Sequence, residues 1–214
     1  MQEFKKQSDT SWKETPMILL INACVRTDSR TKRLTDALLK ELDGEITEVV
    51  LSEVDFPVVD EAFLQKRDAL IAEKQWDDPI FNLAMQFKSA DTIVVAAPYW
   101  DLSFPSSLKQ YFEQINAMGT TFDYSDEGLP IPLCKAEKLY YVTTAGGALV
   151  PYEFGFGYVK ALAENFYGIK EVKLLTAVGL DIYGADVETI IKEAETRVKD
   201  VLPSQPADSA SIPS

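Results

Sequence analysis

The stretch "DTIVVAAPYWDLSFPSSLKQYF", residues 91–112, passes from an apolar run through an aromatic loop into a helical pattern. A short continuous apolar run of this kind predicts a strand buried on both faces. After the loop, apolar residues at helical spacing predict a helix, with Pro105 tolerated in its first turn. The loop between them carries Tyr99, Trp100 and Phe104, although loops are usually small and polar. It could line or stack on a flat ring, or form a hydrophobic cluster or a subunit contact.

The same alternation of strand and helix continues along the chain. Strands are predicted at "MILLINA" (17–23), "EITEVVLS" (45–52), "DTIVVAAP" (91–98), "KLYYVTTA" (138–145) and "EVKLLTAVG" (171–179). Helices are predicted at 30–42, around 63–70, at 80–87, at "FPSSLKQYFEQINAM" (104–118), at 158–168 and at 186–202. Strands that alternate with helices imply right-handed crossovers and a parallel sheet covered on both faces. The sequence therefore predicts an α/β protein.

Composition favours one folded domain with two tails. The chain has 214 residues, of which 46% are hydrophobic and 26% charged, as is ordinary for a globular protein. Residues 1–16 are polar without periodicity, and residues 203–214 are rich in proline and serine. We therefore expect the folded domain to span 17–202, between an N-terminal and a C-terminal tail.

Charge and residue usage exclude several classes of function. A formal net charge of −13 repels phosphate backbones and anionic lipids, so neither nucleic acid nor a membrane is an expected partner. The lack of histidine excludes a Ser-His-Asp triad, a Cys-His pair and histidine-ligated metal, and no metal site is expected. Cys24 and Cys134 have no metal-ligand spacing, and no secretory pattern opens the chain, so we expect a reducing cytoplasm.

Three loops follow strands and therefore lie where open parallel sheets bind ligands. The first, "CVRTDSRT" (24–31), places Ser29 and Thr31 ahead of a helix, where they could bind a phosphate with Arg26, Arg30 or Arg33, or form only an ordinary helix cap. It has neither the dinucleotide fingerprint nor the P-loop pattern.

The other two loops are "PYWDLSFP" (98–105) and "TAGGALVPYEFGFG" (144–157). The glycine pair Gly146 and Gly147 could allow a planar ring close to the backbone, or could form a simple turn. Three unusual loops at one sheet edge predict a ligand site there.

Three segments, "PYWDLSFPSSLKQYFEQI" (98–115), "GTTFDY" (119–124) and "TTAGG" (143–147), resemble the flavodoxin-like NAD(P)H-dependent FMN reductases, the quinone reductase and azoreductase group. The similarity runs from about Met17 to Leu202. It implies a three-layer α/β/α sandwich around a five-stranded parallel sheet. It also implies bound FMN, NAD(P)H as electron donor, and two-electron ping-pong transfer to a small-molecule quinone, azo or nitro acceptor.

The resemblance also implies roles for individual residues. Ser29 and Thr31, with Arg26 and Arg33, would hold the FMN phosphate. The ring would be flanked by residues that also offer backbone donors near its reactive edge, namely Pro98, Tyr99, Trp100, Asp101 and Leu102. Its pyrimidine end would contact Thr144, Ala145, Gly146 and Gly147. Asp101 lies where azoreductases of this group commonly have Asn, and a carboxylate there lowers the flavin potential unless it is paired or turned away.

Members of this group are usually homodimers with active sites at the subunit interface. Aromatic residues that could complete a pocket, from the same or the partner chain, are Phe63, Phe122, Tyr124, Tyr152 and Phe154. No catalytic side chain is assigned with certainty, and Tyr99, Tyr124 and Tyr152 are candidate proton donors. Two alternatives remain open, a flavodoxin-type electron carrier that needs protein redox partners and a flavin-free regulatory protein of the same fold.

Overall fold

Five parallel strands form the centre of the computed structural model, which describes residues 15–202. The strands are β1 (Met17–Asn22), β2 (Glu45–Val50), β3 (Thr92–Ala96), β4 (Phe122–Tyr124), β5 (Pro130–Pro132), β6 (Lys138–Thr144) and β7 (Glu171–Ala177). The helices are α1 (Arg30–Leu39), α2 (Glu61–Ala72), α3 (Asn82–Ser89), α4 (Ser106–Ile115), α5 (Phe156–Leu162), α6 (Val187–Thr196) and α7 (Val198–Val201). The predicted tails, except Thr15 and Pro16, lie outside the described residues.

The order of the strands in the main sheet is β2-β1-β3-β6-β7. All neighbours are parallel, and Ile21 of β1 is in register with Val49 of β2 and Val95 of β3. If only these five strands are numbered, in chain order, the order across the sheet is 2-1-3-4-5, which is the flavodoxin-like arrangement. The direction of the connections reverses between β1 and β3, so a ligand cleft is expected at the carboxyl ends of these two strands.

Two apolar layers cover the sheet because successive strand residues point to opposite faces. Leu19 and Ile21 belong to the buried cluster that includes residues of α3, α4 and α5. Ile18 and Leu20 belong to the second cluster, with residues of α1 and α6. All four side chains are at most 1% exposed. The predicted three-layer sandwich around a five-stranded parallel sheet is therefore confirmed.

Helix α4 is shorter than its predicted segment. Pro105 occupies the N-cap position rather than the first turn, and the helix ends at Ile115. The residues that follow lead into an unpredicted antiparallel hairpin of β4 and β5. Each strand has only three residues and β5 contains two prolines, so neither shows the alternation that identifies a strand.

Helix α2 packs differently from the other long helices. None of its twelve residues is buried, although Asp60 caps it by accepting a hydrogen bond from the Phe63 N–H. Its large apolar residues Phe63, Leu70 and Ile71 lie on one face and are half-buried, so this chain alone covers that face only in part. Between residues 15 and 202, no helix has both the length and the apolar character that crossing a bilayer requires.

Candidate functional site

A cleft of about 240 Å³ lies at the carboxyl edge of β1, β3 and β6. It is lined by Val25, Arg26, Asp28, Ser29, Arg30, Thr31, Pro98, Tyr99, Trp100, Thr144, Ala145, Gly146, Leu180 and Asp181. The three loops that the sequence places at one sheet edge therefore do meet. A fourth loop, after β7, joins them through Leu180 and Asp181.

The first turn of α1 forms one end of the cleft. Ser29 is the N-cap, and its hydroxyl accepts a hydrogen bond of 3.3 Å from the Lys32 N–H. The N–H groups of Arg30 and Thr31 donate to no group within residues 15–202. Unused N–H groups at a helix start attract anions, because the helix dipole adds partial positive charge.

The three arginines predicted around this turn have separate environments. The Arg26 side chain lines the cleft and has no ion-pair partner in the described part of the chain. Arg30 also lines the cleft, and its Nη1 lies 2.8 Å from Oδ1 of Asp181. Arg33 does not line it.

The Arg33 guanidinium instead binds two carboxylates of α6. It contacts Glu188 at 2.6 and 2.9 Å and Glu195 at 2.8 Å. The hydrogen bonds that Arg33 donates to these carboxylates raise the pKa of Arg33, and the Arg33 guanidinium in turn lowers the pKa of Glu188 to about 2. Arg33 therefore links α1 to α6 and does not lie in the cleft beside Ser29.

A buried pair of hydroxyls connects two of the loops. Thr31 Oγ1 in α1 lies 2.7 Å from Thr144 Oγ1 at the end of β6. Thr31 is 1% exposed and Thr144 is 8% exposed. Because neither hydroxyl has another partner among the described residues, this bond sets the position of α1 relative to the loop after β6.

The loop after β3 folds back as a tight turn. The Trp100 N–H donates to the Ser103 carbonyl at 3.2 Å, and the Ser103 N–H donates to the Trp100 carbonyl at 2.7 Å. The two residues between them have positive φ, 50° for Asp101 and 67° for Leu102, as a type I′ turn requires. Such turns favour Asn and Gly, so a leucine here holds backbone strain.

Asp101 and Leu102 lie at the tip of this turn and do not line the cleft. Their N–H groups have no acceptor within the described residues, so both can donate to a ligand above the turn. The Asp101 carboxylate is exposed and forms no ion pair in residues 15–202.

The segment 148–155 is held against this turn by two hydrogen bonds. The Tyr99 hydroxyl donates to the Pro151 carbonyl at 3.3 Å, and Ser103 Oγ donates to the Phe154 carbonyl at 2.8 Å. Removal from water, together with the nearby Glu153 carboxylate, raises the pKa of Tyr99. Tyr99 therefore fixes the cleft wall while its hydroxyl remains protonated.

The other candidate tyrosines lie outside the cleft lining. The Tyr152 hydroxyl is directed to Thr176 Oγ1 at 3.5 Å, and Tyr124 is half exposed on β4. Phe122 is 6% exposed and stacks on Phe166 at 4.5 Å, so it belongs to a packed cluster. Phe63 and Phe154 also lie outside the lining.

The two glycines after β6 differ in what surrounds them. A Cβ atom at Gly146 would overlap the Asp181 carboxylate, whereas a Cβ at Gly147 would have nothing within 4 Å. Neither N–H group has an acceptor in the described part of the chain. Gly146 therefore leaves the room that the Asp181 side chain occupies, and Gly147 has open space beside it.

Sequence reasoning missed Asp181 because it considered only three of the loops that follow strands. The available signal was its place immediately after the fifth predicted strand, at the same edge of the sheet. Residues 15–202 contain no group of His, Cys, Asp and Glu side chains arranged to hold a metal ion.

The donor set fits a flat ligand with a phosphate at one end. The α1 end offers Arg26, the Ser29 hydroxyl and the unused N–H groups of the first turn, all suited to a phosphate. At the opposite end Gly146 offers an unused N–H group, which suits a ring carbonyl or nitrogen, whereas Gly147, Asp101 and Leu102 lie outside the cleft lining. Fold and cleft together are those of a flavodoxin-type α/β protein, and the donors in the cleft suit a phosphorylated ring.

The chain belongs to the family described as having a flavodoxin-like fold, which matches residues 16–202. The FMN-dependent NADH:quinone oxidoreductase of Clostridium beijerinckii is 32% identical over 186 residues, covering 84% of this chain and 93% of the relative. The protein of the same name from Lachnoclostridium phytofermentans is 32% identical over 189 residues, covering 84% of this chain and 94% of the relative.

Solved structures agree with this fold. An azoreductase from Bacillus anthracis superposes with a TM-score of 0.73 at 23% identity, covering 87% of this chain and 98% of the other. An FMN-dependent NADH-azoreductase from the same species, solved with FMN, gives a TM-score of 0.69 at 23% identity, covering 87% and 99%. The predicted family resemblance is therefore confirmed.

Proposed function

We propose that the chain is an FMN-dependent NADH:quinone oxidoreductase, which transfers two electrons from NAD(P)H to a small-molecule quinone or azo acceptor. The observation that carries this proposal is the cleft, whose unpaired donors lie at its phosphate end and at its ring end. Relatives that share about a third of their residues over most of the chain are named for this reaction with NADH. These names argue against a flavodoxin-type carrier and against a flavin-free regulatory protein.

The phosphate end of the proposed site consists of Arg26, Ser29 and Thr31, with the N–H groups of the first turn of α1. Arg26 supplies the charge, because it is the cleft arginine without a carboxylate partner in the described residues. Arg33 has no place in this site because Glu188 and Glu195 bind it.

The ring end consists of the loops after β3 and β6. Pro98, Tyr99 and Trp100 form one wall, and Thr144, Ala145 and Gly146 form the other, with Gly147 next to them outside the lining. The N–H groups of Asp101 and Leu102 would donate to the ring edge from the strained turn. Bound FMN would supply the two-electron chemistry, so these residues have to bind, orient and exclude water.

No side-chain acid is required for this chemistry, since solvent can protonate a reduced quinone. The Tyr99 hydroxyl already donates to the Pro151 carbonyl, which makes it a structural group rather than a proton donor. Tyr152 and Tyr124 remain candidates only if a second subunit brings them to an acceptor.

We also propose a homodimer in which a second copy covers helix α2 and completes the cleft. Helix α2 has no buried residue, and Val58, Val59 and Leu64 beside or within it are exposed. The cleft volume of about 240 Å³ is below the ~300–1,000 Å³ typical of ligand pockets. Sedimentation at several concentrations tests this, and a species of 23.9 kDa at micromolar concentration contradicts it.

Two further expectations belong to the same proposal. The free thiols of Cys24 and Cys134 support a reducing compartment, the cytoplasm. The continuous sheet and both apolar layers support one domain over 17–202.

The decisive experiment mixes the purified protein with FMN and then follows NADH oxidation with a soluble benzoquinone as acceptor. We expect flavin absorbance to copurify or to appear after incubation, and parallel double-reciprocal plots, as ping-pong kinetics require. NADH oxidation only in the presence of a reductase protein would indicate an electron carrier. A preparation that binds no FMN would refute the proposal.

A matched pair of arginine variants tests the site itself. Arg26→Gln should weaken FMN binding about tenfold, the effect of losing one charge-assisted hydrogen bond. Arg33→Gln removes the same charge from the next turn of α1 and should leave FMN affinity nearly unchanged. Fluorescence quenching of FMN measures both, and equal losses in the two variants would contradict the assignment.

A further inference from the structure

An ion pair crosses the cleft between α1 and the loop after β7. Arg30 Nη1 lies 2.8 Å from Asp181 Oδ1. The main chain of Asp181 is held beside the loop after β6, because its N–H donates to the Gly146 carbonyl at 2.9 Å. The carboxylate lies over Gly146, where any side chain would overlap it. The pair therefore joins two of the loops that line the cleft.

The charges that line the cleft do not favour an anion. Two of these side chains are cationic, Arg26 and Arg30, and two are anionic, Asp28 and Asp181. A phosphate that enters meets no excess of positive charge, and one of the two guanidinium groups is already bound to a carboxylate. Asp181 and the phosphate therefore compete for the same Arg30 donor.

We infer that Asp181 is a built-in competitor for the flavin phosphate, and that Arg30 exchanges Asp181 for the phosphate when the ligand binds. Both side chains are exposed, 42% for Arg30 and 68% for Asp181, so their pairing is weak and reversible. A phosphate monoester near neutral pH carries nearly two negative charges and attracts a guanidinium more strongly than one carboxylate does. The competition thus lowers the affinity for flavins that carry a phosphate and leaves the affinity for riboflavin, which has none, unaffected.

This inference rests on the proposed function, since it concerns how the same site selects its ligand. It makes Asp181 a residue that limits phosphate binding by Arg30 and so lowers the affinity for every flavin with a phosphate. Removing the carboxylate should therefore tighten FMN binding, whereas a residue that holds the ligand would weaken binding when removed.

The test measures FMN and riboflavin affinity of the flavin-free full chain by fluorescence quenching. Asp181→Asn should tighten FMN binding about two- to fivefold, the range expected when an exposed ion pair no longer competes. Riboflavin affinity should not change. The control Asp43→Asn removes the same charge just before β2, at the opposite edge of the sheet, and should leave the FMN-to-riboflavin ratio as it is in the wild type.

Two further variants keep the inference testable if Asp181→Asn fails to fold. Asp181→Ser also removes the charge and should tighten FMN binding similarly, while Arg30→Gln should weaken FMN binding and leave riboflavin unaffected. Equal weakening of FMN and riboflavin by Asp181→Asn, or no change in either, would overturn the inference while the proposed function stands. A wild-type chain that binds no flavin would overturn both.

Discussion

The buried bond between Thr31 and Thr144 makes a quantitative prediction about how the cleft is held together. Each hydroxyl has the other as its partner in the described residues, and both side chains are nearly inaccessible to water. Replacing either threonine by valine keeps the shape but leaves one buried hydroxyl unsatisfied. This should lower the free energy of unfolding by about 1–3 kcal/mol.

The double variant separates this bond from general effects of valine. Once both hydroxyls are gone, no polar group is left unsatisfied, so Thr31→Val combined with Thr144→Val should cost less than the sum of the single changes. We expect a coupling energy of about 1–2 kcal/mol, within the range for residues in direct contact. Urea unfolding of the flavin-free chain, followed by circular dichroism, measures all four proteins.

Thr35 provides the matched control. Its hydroxyl donates to the Thr31 carbonyl, not to Thr144, and it is fully buried in the same helix. Thr35→Val combined with Thr144→Val should therefore be additive to within about 0.5 kcal/mol. Additivity of the Thr31 and Thr144 changes as well would show that the two hydroxyls do not stabilise each other, and would refute this account of the cleft.

Two other predictions concern stability away from the ligand. The pKa of Glu188 is about 2 in the folded chain, below its usual value, so its bond to Arg33 stabilises the fold above about pH 4.5 and is lost as pH falls toward 2. The stability difference between wild type and Arg33→Gln, from urea titrations at several pH values, should shrink over that window, and a constant difference would contradict it. Gly119→Ala should lower the melting temperature by an amount equivalent to about 1–3 kcal/mol, because φ is +80° and the new Cβ would lie 2.6 Å from the Trp76 ring. An unchanged melting temperature in calorimetry would contradict this prediction and would mean that the Trp76 ring moves aside at no cost.

The layers of the fold could be predicted because the relevant signals are local. The runs that form β1, β3 and β6 are apolar without alternation, since helices cover both faces of the sheet. Parallel strands then place the loops that follow them at one edge of the sheet, whereas the strand order was not predicted from the sequence. The hairpin of β4 and β5 had no such signal, because three-residue strands with prolines at 130 and 132 are too short for any periodicity.

The conformation of the loop after β3 could not be predicted from the residues of the loop itself. The aromatic residues indicated a wall for a ring, and Tyr99 and Trp100 do line the cleft. Nothing in "WDLS" predicts two successive residues with positive φ, because leucine rarely adopts that conformation. The turn is imposed by its reciprocal hydrogen bonds and by the bond from Ser103 to the Phe154 carbonyl, 51 residues away.

The arginines show most clearly why the residues of the site cannot be identified from the sequence alone. Arg26, Arg30 and Arg33 lie within eight positions, and each could reach a phosphate near Ser29. What separates them is the position of three carboxylates more than 150 residues away in sequence, Asp181, Glu188 and Glu195. Glu188 and Glu195 are seven positions apart and share one face of α6, so they bind Arg33 together. An arginine that already binds two carboxylates is not available to a phosphate. The packing of α6 on α1 therefore decides that Arg33 is paired and that Arg26 remains to bind a phosphate.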